Sequence, residues 1–207
     1  MAAQQSGAAS QGQAPIKETD QSGAIPRGTA PINETYYHCS GPATAFEKMF
    51  DPRVCSYGHL FKHLQPTIEQ AKKPHGDGEQ AANLIHEAIH TVVAKPDCKG
   101  VEHIVLTTID ADGQGTGGLL QCSGCTGVAP GGTLRQDIVT DMIHAGALHF
   151  KQNLDRQHGN VYEALRVYNS GSIASDGDLA SPKSVGTPSY VTDIANWLHG
   201  WIDGRNA

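Results

Sequence analysis

The sequence predicts a mainly α domain with a buried central helix and at most a small β-hairpin. Three observations carry this: apolar residues recur at helical spacing in several segments, strand-period alternation is scarce, and one short, strongly apolar run lies in mid-chain. The clearest helix is 79–95, where Leu84, Ile85, Ala88, Ile89 and Val92 make one stripe and Pro96 stops it.

Residues 1–35 are rich in Gln, Gly, Ala, Ser and Pro with few large apolar side chains, and they cannot bury enough surface to offset their ordering entropy. They read as a tail or linker, and 36–207 as one domain. Within it, 59–72 has helical spacing, and 101–109 is the apolar run expected at the centre. A glycine-rich loop follows. Thr133 is placed to cap a helix reaching about Asn153, a further helix spans 161–168 until Asn169, Ser170 and Gly171 break it, and a last one starts at Ser189 with Ile194, Trp197, Leu198 and Trp201 on one side.

A length of 207 residues with 38% hydrophobic content suffices for one ordinary core. The formal charge of −6, with 15 Lys plus Arg, supplies no basic footprint for nucleic acid, and no run of 18 apolar residues is present to span a bilayer. A neutral or small-molecule partner is expected, with no nucleic acid and no membrane, and no cofactor. The first residues lack the charged and apolar regions of a signal peptide, so export implies a signal lost from this sequence. Five cysteines and the glycosylation acceptor Asn33-Glu34-Thr35 favour disulfides and a secreted, extracellular protein. Cys122 and Cys125 form a C-x-x-C with no second such pair to complete a four-sulfur zinc site.

Two motifs invite metal readings. His86-Glu87-Ala88-Ile89-His90 matches H-E-x-x-H, in which two histidines one turn apart hold zinc and the glutamate is a general base. The nearest third ligand, His103, lies beyond Pro96, so His86 and His90 read first as a solvated helix flank and only second as a zinc site. The run I-D-A-D-G-Q-G-T-G-G-L-L-Q over 109–121 puts Asp110, Asp112, Gln114 and Gly115 where an EF-hand loop begins. Its end lacks the bidentate carboxylate, with Gln121 at the twelfth position, so the calcium reading fails and no metal is expected.

The segment N-V-Y-E-A-L-R-V-Y-N-S-G-S over 160–172 resembles the helix and tight turn of goose-type lysozymes and lytic transglycosylases, and looks most like the secreted fungal members of glycoside hydrolase family 23. Y-Y-H-C-S-G at 36–41, G-L-L-Q at 118–121 and Y-V-T-D-I-A-N-W-L-H-G-W at 190–201 extend the resemblance over 36–201, in order. It implies a lysozyme-like fold and a muramidase or transglycosylase acting as a monomer on a β-1,4-linked N-acetylated polysaccharide, either peptidoglycan or chitin. Gln121, Tyr168, Asn169 and Ser170 then contact the sugar. The residues agree, since a ring and an amide at a helix break suit stacking on a sugar and bonding its hydroxyl or N-acetyl group.

The sequence departs from that family at one place. Where the family carries an acidic glutamate just before G-L-M-Q, residues 105–113 read V-L-T-T-I-D-A-D-G. Asp110 or Asp112 takes the position, and Asp110 is the better candidate because it directly ends the apolar helix. Asp is one methylene shorter than Glu, and a misplacement on that scale costs about a hundredfold in rate. A catalytically degenerate glycan-binding or effector protein is therefore the alternative, and a zinc protein using His86 and His90 a second. The resemblance also leads to a Cys39–Cys55 disulfide, with Cys98 paired to Cys122 or Cys125.

Overall fold

The computed structural model describes residues 33–72, 78–109, 118–122, 124, 125, 127 and 133–201. Seven α-helices occur among these residues: α1 (Ala43–Met49), α2 (Tyr57–Lys72), α3 (Gly78–Val93), α4 (Glu102–Thr107), α5 (Gln136–Arg156), α6 (Val161–Ser170) and α7 (Tyr190–Leu198). Short 3-10 turns at Pro96–Cys98 and Gly118–Leu120 punctuate them. The chain is mainly helical, and no strand or hairpin occurs among the described residues. The proposed tail, 1–35, lies outside them except for its last three residues. No described helix is long and apolar enough to cross a membrane.

The α3 stripe works as the spacing predicts. Ile85, Ala88, Ile89 and Val92 are all fully buried, and α3 packs between α2 and α5. The short α4 is the element the others enclose: His103 through Thr107 are buried, and it touches α2, α3, α5 and α7. A six-residue helix has little intrinsic stability, so burial of Ile104, Val105 and Leu106 holds it. Its exposed carbonyls are closed by its own hydroxyls, with Thr107 Oγ1 reaching His103 O and Ile104 O and Thr108 Oγ1 reaching Ile104 O at 2.8 Å.

Three expectations are corrected. Arg135, not Thr133, precedes α5, and it provides no side-chain cap. Helix α6 continues through Asn169 and Ser170, because Gly171, at φ +77°, rather than the polar pair, ends it. Cys39, Cys55 and Cys98 are all unbonded and buried, while Cys122 pairs with Cys125 across a Cα separation of 5.4 Å. Helix α7 explains why Cys39 and Cys55 stay apart. The Cys39 carbonyl accepts from Thr192 Oγ1 and the Cys55 amide donates to Leu198 O, points six residues or about 9 Å apart along one helix, so the two cysteines are anchored at different turns of it.

Candidate functional site

The long polar segment from Gly171 to Ser189 has no helix of its own, so its backbone groups need other partners. Arg166, fully buried on α6, supplies two of them, donating from Nη1 to Thr187 O and from Nη2 to Ser181 O, each at 3.0 Å. Asn169 supplies another, its Oδ1 accepting from Thr187 N at 2.9 Å. The other end of the segment is tied to the start of the domain, where Leu179 N donates to Gly41 O and Gly41 N donates to Asp178 Oδ1. The segment is thereby fixed as a wall.

Between this wall, the end of α4, the 3-10 turn at Gly118–Leu120 and α7 lies a cleft of about 310 Å³. Thr107, Thr108 and Ile109 form one side, and Leu120 and Gln121 the floor. Tyr168, Asn169 and Thr187 come from α6 and the wall, and Tyr190, Asp193, Ile194 and Trp197 from α7. The volume suits a small molecule or one unit of a polymer, and the mixture of rings with a few polar groups is typical of such sites.

Of the residues expected from sequence, Gln121, Tyr168 and Asn169 meet in this one cleft although 48 positions separate the first from the last. Ser170 does not join them. Its Oγ lies 2.7 Å from Arg166 O and 2.6 Å from Ser172 O, so the hydroxyl closes the helix end. Asp110 and Asp112 lie outside the described residues, but Ile109, immediately before Asp110, lines the cleft. His86 and His90 sit elsewhere, on the α3 flank with ring centroids 4.5 Å apart, packed against Tyr57 and Phe61. Among the described residues, the group of three close enough to hold a metal does not include them.

Each cleft residue is held by its neighbours. Tyr168 rests on His149 and Phe150 of α5 and donates its phenol proton to Leu120 O at 2.7 Å. Burial pushes that phenol well above the usual tyrosine range, so it stays a donor at any physiological pH. Leu120 is seated by Gly146 of α5, where an added Cβ would strike the leucine side chain. Gln121 must then turn sharply toward the Cys122–Cys125 bridge, which it does at φ +48°, a region that non-glycine residues adopt uncommonly. Asn169 points its Oδ1 at the wall, where it accepts from Thr187 N.

The sequence did not mark Asp193 or Tyr190 as site residues, and it placed Trp197 only on the apolar side of the last helix. The Asp193 Oδ1 accepts from the Tyr36 hydroxyl at 2.6 Å, and Tyr36 in turn packs edge-on against Trp201. The signal was present, since 190, 193, 194 and 197 share one helical face. Reading α7 for its apolar stripe alone passed over the carboxylate embedded in it.

No family model, curated protein or solved structure matches the chain.

Proposed function

We propose that the chain is a lysozyme-like enzyme that cleaves a β-1,4-linked N-acetylated polysaccharide, with peptidoglycan the first substrate to test. The observation that carries this reading is the convergence on one cleft of three separated blocks: the end of α4 leading into Asp110, the G-L-L-Q turn and the Tyr168–Asn169 helix end. A polysaccharide needs an open groove with ring platforms and a few amide or carboxylate partners. Trp197 and Tyr190 supply rings there, and Gln121, Asn169 and Asp193 supply polar groups.

Asp110 is the general acid in this proposal. A glycosidic oxygen leaves only when protonated, and the acid must keep its proton near neutral pH, for which the end of a buried apolar helix is a favourable place. Asp193, on the α7 side, serves as the second carboxylate. Its orientation by Tyr36 suits it to stabilise positive charge on the sugar or to orient an attacking water. Export fits the Cys122–Cys125 bond, because disulfides persist in oxidising compartments.

The aspartate standing where the family resemblance calls for glutamate favours a second reading, a protein that binds glycan without turnover. Release of soluble fragments from purified peptidoglycan, beside Asp110→Asn and Asp193→Asn, separates the readings. Asp110→Asn should lower release by about 10² to 10⁴ while pull-down on the insoluble glycan persists. Release that survives Asp110→Asn removes it as the acid, and binding with no release by any form, wild type included, establishes the second reading.

A further inference from the structure

We propose that Asp97, Cys98 and His144 form a binding site for one divalent ion of zinc's class, separate from the cleft and sharing none of its residues. The 3-10 turn at Pro96–Cys98 packs against α5, bringing two adjacent ligands of the turn up to His144. One donor atom from each residue lies within 4.8 Å of the other two. Zinc with bonds of about 2.0–2.3 Å to sulfur, nitrogen and oxygen holds tetrahedral donors roughly 3.3–3.9 Å apart, so a contraction of about 1 Å closes the set. Asp97 can supply it, because its side chain is 52% exposed.

One polar atom here has no partner without an ion, while the Cys98 thiol hydrogen-bonds the Asp97 side chain. His144 Nε2 is shut off from solvent yet has no hydrogen-bond partner, and the Asp97 Oδ2 atom facing it stands 3.7 Å away, too far for a hydrogen bond. Cys98 is fully buried and unbonded. Burial, then the Asp97 charge, pushes its thiol up to about 11, so it is inert as a free nucleophile. An ion changes that: the S–H bond breaks, the sulfur–metal bond forms, and the proton leaves to water. One soft sulfur, one imidazole and one carboxylate favour zinc, cobalt(II) or nickel over calcium or magnesium. The exposed side of Asp97 leaves a fourth position to water.

The test is cobalt(II) titration of the full chain, with no added thiol, so that Cys122 and Cys125 remain bridged. Expected is one equivalent bound with thiolate-to-cobalt charge-transfer absorption, displaced by zinc and abolished in Cys98→Ser. His144→Gln, a change outside the core, should weaken binding at least about tenfold and remove the rise in thermal midpoint that zinc gives the wild type. Exposed histidines such as His90 bind cobalt without that absorption. Binding that lacks the absorption, absorption that survives Cys98→Ser, or equal affinity in His144→Gln overturns the proposal, as does failure of the wild type to bind. Because the site shares no residue with the cleft, these outcomes are independent of glycan cleavage.

Discussion

The Tyr168 phenol and the Leu120 carbonyl are joined by a 2.7 Å hydrogen bond that ties α6 to the turn carrying Gln121. The bond is partly buried, so neither group exchanges its partner freely for water. Tyr168→Phe should cost about 1–3 kcal/mol in urea denaturation, by leaving the carbonyl unpaired, and should lower glycan cleavage by loosening Gln121. Unchanged stability would mean that water replaces the phenol, and that the cleft floor does not depend on it.

Gly146 and Gly58 give a pair of opposite sign. Alanine usually stabilises a helix relative to glycine, and at Gly58, where nothing lies within 4 Å of the added carbon, it should add about 0.4–1 kcal/mol. At Gly146 the same change meets Leu120 and should destabilise by about 1–3 kcal/mol. Thermal melts of the two variants check both signs.

Arg166→Lys should behave as a severe change rather than a conservative one. A lysine cannot present two donors in the guanidinium fork, so at least one of the Ser181 and Thr187 carbonyls loses its charged partner, at about 1.5–3 kcal/mol. Hydrogen exchange should localise the loss to 171–189. A uniform loss over the helices would refute the anchoring role.

Stability should fall as pH drops below about 6.5, the ordinary histidine value. Burial lowers the pKa of His86 and His149, as it does for His59, so each is neutral in the fold at a pH where the unfolded chain takes up its proton. The unfolded state then binds more protons, and stability rises with pH through that window. At His86 burial is the first cause, and the charge of the neighbouring His90 adds to it. Melts at pH 7.5 and 5.5 should converge for His86→Gln relative to wild type, and an unchanged gap would exclude His86.

What was legible in the sequence depended on local pattern. Helix α3 could be read because Ile85, Ala88, Ile89 and Val92 bury together through spacing alone, and α4 because the apolar cluster Ile104-Val105-Leu106 belongs in the interior. Cysteine pairing could not be read, because each of Cys39 and Cys55 docks on α7, 153 and 143 residues away in sequence. Asp193 was hidden for a related reason. A face that is apolar at one end and lines a cleft at the other has no single periodic signature. Ser170 misled because a hydroxyl at a helix end suits a ligand or its own carbonyls equally, and only the structure shows it taken by Arg166 and Ser172.

The buried guanidinium of Arg166 makes the wall at 171–189 a separate cooperative unit from the helical scaffold. Fastened by a few bonds to Arg166, Asn169 and Gly41 and by the buried side chain of Leu179, not by a helix ladder, it should lose amide protection before α3, α4 and α5 do.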